Sequence, residues 1–242
     1  MKRRIVLGAL ALLGARRVAA QPAPTPKAEG RTYTPGRFDS IEINGSAAVK
    51  FVQGNVDQVF VEGGDEVQRA VLLEVQNGNL QLNPSGSWKF WDARRLRIEV
   101  TARELARLSI SGAADFTAAG PVHAERLSVA ISGAGAVRFD KLDAETLNFG
   151  VSGSGNGQIA GATRELVLRI SGRSEFRGEA LKAERARVSI SGVGDVKVWA
   201  VQALDISVAG IGKVDYWGAP AVRRHTSGAA TINERGPAPG AR

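Results

Sequence analysis

The sequence predicts an all-β fold: a single-stranded parallel β-helix, or β-solenoid, of about 8 coils of 18–21 residues, with a hairpin-containing insertion near its N-terminal end. Three observations carry this prediction. A glycine-centred phrase of the type "ISG" recurs at Gly45, Gly112, Gly133, Gly153, Gly172, Gly192, Gly210 and Gly228. From Gly112 onward the spacings are 21, 20, 19, 20, 18 and 18 residues. Before each glycine, apolar residues alternate with polar ones, as in Leu127, Val129, Ile131 and again in Leu166, Leu168, Ile170. That period of two marks strands with one buried face. A unit of about twenty residues cannot bury its own apolar face, whereas stacked units bury a continuous one. Parallel crossovers within one sheet are right-handed in nearly all proteins, so right-handed winding is expected.

The elements follow in chain order. Residues 1–20 have the layout of a signal peptide: a basic "MKRR", an apolar "IVLGALALLGA" too short to span a bilayer, and "VAA" before a cut after Ala20. Residues 21–37, "QPAPTPKAEGRTYTPGR", read as a Pro/Ala-rich linker, since such proline spacing favours an extended chain. The solenoid is expected over 38–232. Its first coil carries "INGSAAV", and the pitch then fails, because 67 residues separate Gly45 from Gly112. Within that gap "LLEVQNGNLQL" sets Asn77–Gly78 between two alternating runs, a strong hairpin signal. The hairpin is expected to cover the N-terminal sheet edge, and "LRIEV" (Leu96, Ile98, Val100) to rejoin the solenoid.

In the regular coils, four residues after each glycine stands Val49, Phe116, Val137, Gly157, Phe176, Val196, Val214 or Ile232, so only Gly157 departs from an apolar column. A third short segment completes each unit, as in Leu142 and Ala144, Leu181 and Ala183, or Val201 and Ala203. Val129, Phe149, Leu168, Val188 and Ile206 are expected in one buried column. The serine of each phrase points outward or lies at the corner, where its hydroxyl can pair with the coils above and below, and the glycine supplies a backbone conformation that a Cβ would penalise. The second glycines, such as Gly135 and Gly194, are expected to tighten the corner. Residues 233–242, "NERGPAPGAR", lack a strand pattern and are expected to form a disordered tail.

Composition removes several function classes. The net charge of +8 looks like a nucleic-acid signal, but Lys2, Arg3, Arg4, Arg16 and Arg17 all lie in the leader. The remainder holds 27 basic against 24 acidic residues, and no basic stripe is interleaved with aromatics, so no nucleic-acid partner is expected. No later segment is long and apolar enough for a transmembrane helix. Cysteine is absent, so stability rests on packing rather than disulfides.

Chemical motifs fare no better. A serine nucleophile needs a base, and the two histidines, His123 and His225, fall outside any nucleophile elbow. Three residues after the anchors come Ala48, Asp115, Ala136, Asn156, Glu175, Asp195, Lys213 and Thr231, which is no calcium ladder. Zinc has no ligand set either, and no cofactor is implied. Glycosidase chemistry needs two carboxylates on one patch. Asp143 with Glu145, and Glu165 with Glu184, are candidates, but Glu125, Glu145, Glu165 and Glu184 recur beside Arg126, Arg164, Lys182 and Arg185 and read better as an ion-paired outer ladder. The remaining candidate binding residues are Trp88, Phe90, Trp91 and Arg94, which sit together in "SWKFWDARR" inside the insertion. They are either an aromatic plug for the first coil or a stacking platform for a glycan or partner protein.

The phrases "FDSIEINGSAAVKFVQG", "LRIEVTARELARLSISGAADF" and "GIGKVDYWGAPAVRRHTSGAATI" resemble the bacterial auto-transporter adhesin head GIN domain family, a domain of unknown function, over roughly Phe38 to Ile232. The resemblance implies an exported β-helix of bacterial envelopes, periplasmic or at the cell surface. The expected function is that of a non-enzymatic envelope binding or adhesion module. The alternatives are a carbohydrate-active β-helix enzyme (a polysaccharide lyase or hydrolase), and a structural or regulatory envelope protein without a small ligand.

Overall fold

The computed structural model describes residues 29–84 and 96–238. Five long strands form the body: β9 (Asp115–Ile131), β10 (Ala134–Val151), β11 (Ser154–Ile170), β12 (Arg173–Ile190) and β13 (Val193–Val208). Consecutive ones pair in parallel along nearly their whole length. β14 (Ile211–Trp217) and β15 (Ala221–Thr226) extend two walls of β13, and β16 (Ala229–Glu234) pairs with β14. The three short strands expected per coil are thus joined into one. In these five strands pairing continues around the other bends through register shifts, as between Phe139 and Leu142.

Parallel in-register pairing stacks equivalent side chains at about 4.8 Å. One column runs Ile41, Leu108, Val129, Phe149, Leu168, Val188, Ile206, and every member is buried. Each such side chain contributes about 1.5–3 kcal/mol of burial, so stacking supplies the stability that a lone coil lacks. The Gly157 exception also has a cause. Phe149, the one aromatic in its column, reaches across the core to Phe176, with ring centroids 5.1 Å apart. A Cβ on Gly157 would lie 2.7 Å from Phe149 and 2.9 Å from Phe176. The glycine leaves the volume that the large ring fills.

The corner glycines stack as well, but for another reason than expected. None has a positive φ. A Cβ on Gly112, Gly133, Gly153, Gly172, Gly192, Gly210 or Gly228 would overlap the carbonyl oxygen of the corner glycine one coil below. Close backbone approach, not a left-handed conformation, excludes a side chain. The approach is held by hydrogen bonds such as Ser152 N–H to Ile131 O at 2.9 Å and Ser154 N–H to Gly133 O at 2.9 Å. The second glycines likewise do not shape the turn. Gly155, Gly194 and Gly212 point inward, and Cβ atoms there would press on Ile131, Ile170 and Ile190, or Ile190 and Val208.

Eight corners do not make 8 coils. Six uninterrupted turns run from Gly112 to Gly228; Gly45 opens a coil that the insertion breaks, and Gly228 is followed only by β16, giving about 6 turns. Nor do Val201 and Ala203 face inward as expected. Ala200 pairs with Ala183 and is buried, while Val201 is exposed, because this 18-residue coil shortens its third wall before Ala200.

At the N-terminal end β2 (Ser40–Ile43) and β3 (Ala47–Gln53) lie on two walls of the first coil. β8 (Arg107–Ile110) pairs β2 with β9, and β7 (Leu96–Ala102) pairs with β3, so "LRIEV" does rejoin the sheet. β5 (Val71–Gln76) and β6 (Asn79–Pro84) form the expected hairpin, and β6 covers the free edge of β2. Asn77 (φ 52°) and Gly78 (φ 78°) give the turn that right-twisted hairpins require. On the other wall, β4 (Gln58–Glu62) pairs antiparallel with β7, and β1 (Gly30–Tyr33) with β4. A one-turn α1 (Asp65–Arg69) links β4 to β5. β1 falls within the segment read as linker: its Thr–Tyr pair favours a strand, the β4 edge accepts it, and Tyr33 Oη donates to Gln68 Oε1 at 2.9 Å. Asn233 and Glu234, read as tail, complete β16.

Candidate functional site

Residues three and five positions after each corner glycine point outward on one wall. Strand register aligns Asp115, Ala136, Asn156, Glu175 and Asp195 in one column, and Thr117, Arg138, Gln158, Arg177 and Lys197 in the next. Ala136 is the short member of its column. Between Asp115 and Asn156 its methyl leaves a hollow, and the surrounding side chains shape this into a lateral groove of about 360 Å³. The floor is the sheet itself at Phe116, Val137 and Gly157; the rim is Asp115, Thr117, Arg138, Asn156, Gln158, Glu175 and Arg177.

The rim is held by its own contacts. Arg138 Nε donates to Asp140 Oδ1 at 2.6 Å, and Arg177 Nε to Glu175 Oε1 at 2.7 Å. Asn156 Oδ1 accepts the Glu175 backbone N–H at 3.2 Å, so its NH₂ donors are the part a ligand can use. Arg177 also holds the Glu175 carboxyl below the usual carboxylate range, through that hydrogen bond first and its charge second. Glu175 is therefore an acceptor and not a proton donor at neutral pH. Amides, guanidinia and ionised carboxylates in planar, fixed orientations suit neutral polyhydroxylated ligands, whose paired hydroxyls both donate and accept.

The carboxylates of the groove wall are spread along its column. Asp115 and Glu175 stand three strands apart, about 14 Å between backbones at the usual strand spacing. Asp195, one strand from Glu175, lies 3.7 Å from Lys213 Nζ. On the third wall Asp143 and Glu145 share one exposed face of β10, each committed to its own ion pair. Asp143 meets His123 at 3.3 Å, and Glu145 meets Arg164 at 3.2 Å, all on the exposed surface. Glu165 pairs in register with Arg185. Ser191 Oγ reaches the Ile170 carbonyl at 3.5 Å, the outward corner contact expected of it. His225 is exposed on β15. Among the described residues no group of His, Asp and Glu is arranged to hold a metal ion.

Trp88, Phe90, Trp91 and Arg94 lie outside the described residues. Sequence alone does not mark the groove, because the column with Asp115, Glu175 and Asp195 reads along the chain only as a failed ion ladder. The visible signal was the short Ala136 among longer polar neighbours.

A second polar centre stands at the C-terminal end. Asp215 is 3 % exposed. Burial alone would raise its pKa, but hydrogen bonds from Asn233 (2.8 Å) and Arg235 (2.9 Å), with the Lys213 charge at 3.5 Å, outweigh that and lower it. The carboxylate thereby ties β14 to β16. Arg224 Nη2 donates to Tyr216 Oη at 3.1 Å and sits where the next member of the Ile206 column would be.

Comparison with known proteins supplies the family context. The family described as putative auto-transporter adhesin, head GIN domain, matches residues 37–220. No curated protein matches the chain. Among solved structures, a putative adhesin from Bacteroides fragilis superposes with a TM-score of 0.81 at 23% identity, covering 87% of this chain and 98% of that one. A putative lipid binding protein from Parabacteroides distasonis gives 0.65 at 21%, covering 85% and 96%. A putative adhesin from the same organism gives 0.70 at 20%, again covering 85% and 96%. At these identities the likeness is one of fold.

Proposed function

We propose, because the chain belongs to the head GIN domain family of putative auto-transporter adhesins, that it is an exported, non-enzymatic binding module of a bacterial envelope whose lateral groove takes a glycan. The observation that carries this reading is the groove rim. Its planar polar side chains are fixed by 2.6–2.7 Å ion pairs on a rigid sheet, which preorganises them for binding. The two carboxylates at its ends belong to strands about 14 Å apart, and Glu175 is tied to Arg177, which favours binding over turnover. The leader at 1–20 and the linker that follows fit delivery to the periplasm or the cell surface.

The test is a glycan array of bacterial and host surface oligosaccharides probed with the chain. R138A and R177A, each expected to keep the wild-type melting temperature, should weaken any hit by about 1–2 kcal/mol, the range for an interface anchor. Loss of binding in W88A or W91A, with the groove variants unaffected, would transfer the site to the insertion. An array without a hit, or hits that R138A and R177A leave unchanged, would overturn the glycan reading of the groove.

A further inference from the structure

We infer that the last coils carry a separate site for an oxyanion, a phosphate or sulfate ester group, on a different wall from the groove. The register places it. Outward positions three before the corner glycines align Arg169, Ser189, Ser207 and His225 on adjacent strands, and positions five before align Arg187, Asp205 and Arg223. Ser189 and Ser207 are short, so the sheet is shallow over them. Arg187, Asp205, Arg223 and His225 stand around the hollow, which measures about 260 Å³.

Charge selects the ligand. Three guanidinia, Arg169, Arg187 and Arg223, share this surface with one carboxylate, Asp205. Arg187 touches Asp205 only at 4.0 Å. Among the described residues Arg169, Arg223 and His225 meet no carboxylate at ion-pair distance, whereas the neighbouring Arg224 is committed to Tyr216. The polar groove has the opposite character, since both of its arginines are tied to carboxylates at 2.6–2.7 Å. A tetrahedral oxyanion would take hydroxyl donors from the serine floor and forked N–H donors from Arg187 and Arg223. Those two lie two strands apart, about 10 Å between backbones, a span that long side chains close over one anionic group. The chemistry assigned is the phosphate or sulfate ester group itself, and Asp205 is the feature that limits its affinity.

Calorimetric titration of the full chain with tripolyphosphate at low salt tests this. R187S and R223S should each weaken binding about three- to tenfold, as loss of a charge-assisted contact at an exposed site implies. D205N should tighten it about threefold, and R138S on the groove wall should leave it unchanged. Equal weakening by R138S, or no gain from D205N, would reduce the effect to net charge and overturn the site. Co-sedimentation with phosphatidylglycerol vesicles, lost in R187S and R223S, would identify a lipid headgroup as the source of the oxyanion, and binding of neither probe would overturn the site. R187S, R223S and D205N leave the groove intact, so their failure is independent of the glycan reading.

Discussion

Gly153→Ala puts one methyl group into the tightest part of the corner ladder. Its Cβ would overlap the Gly133 carbonyl oxygen and crowd the Ser132 carbonyl. Both contacts are backbone, so no side chain can swing aside. The coils must separate locally, which costs the Ser152 N–H to Ile131 O and Ser154 N–H to Gly133 O hydrogen bonds, both 2.9 Å long. Two such bonds are worth about 1 kcal/mol each. Overpacking adds about 1–3 kcal/mol. The expected loss is therefore about 3–5 kcal/mol, a large part of a typical domain's stability. Gly45→Ala is the control, because at the bottom of the ladder its nearest neighbour is the Pro84 ring at 3.4 Å. That substitution should cost less than about 1 kcal/mol. Urea unfolding followed by circular dichroism measures both. Equal costs at the two positions, or a Gly153→Ala loss below 1 kcal/mol, would refute the close-approach explanation of the repeated glycine.

Ser174 sits at the inward position elsewhere filled by Gly or Ala, and its hydroxyl is buried without a hydrogen-bond partner. Ser174→Ala should raise stability by about 1 kcal/mol in the same urea assay; a loss of similar size would show that the hydroxyl is satisfied. Val188→Asp buries an unpaired charge in the central column and should cost several kcal/mol, read as loss of the cooperative melting transition. The lowered pKa of Asp215 means that it stabilises the fold fully above its unfolded value near 3.9 and less as pH falls through the lower folded value. Stability measured between pH 6 and pH 2 should drop less steeply in Asp215→Asn than in the wild type; parallel curves would exclude this carboxylate as an acid-sensitive tie. Protein recovered from its native host should begin near Gln21, and N-terminal sequencing that returns Met1 from the cytosolic fraction would contradict export.

Period and pitch made the solenoid legible before any coordinates. Alternation assigned Val129 through Ile206 to one column, because burial on a single face leaves its mark on every second residue. The Asn77–Gly78 turn was equally plain, since few residue pairs adopt two positive φ angles. The corner glycines were located correctly but explained wrongly, because sequence shows that a Cβ is excluded and not whether conformation or a neighbouring backbone excludes it. Coil number was overcounted because a corner is not a coil. The misplaced Val201 and Ala203 had a visible cause in the 18-residue spacing, but the sequence could not say which wall had shortened. The groove was obscured because it arises across four coils from one short residue, Ala136, and only register brings Asp115, Asn156 and Arg177 beside it. Arg187 and Arg223 are 36 positions apart in sequence and two strands apart in space.

Binding without turnover is the central claim, and it is tested most directly by incubating the chain with an array-positive polysaccharide and following retention and product formation in one experiment. The account predicts that the polymer is held by wild-type protein, released by R138A and R177A, and recovered at its original length with no new reducing ends or unsaturated sugars. Shortened chains, with cleavage abolished by Asp115→Asn or Glu175→Gln, would contradict it and make the groove an active site.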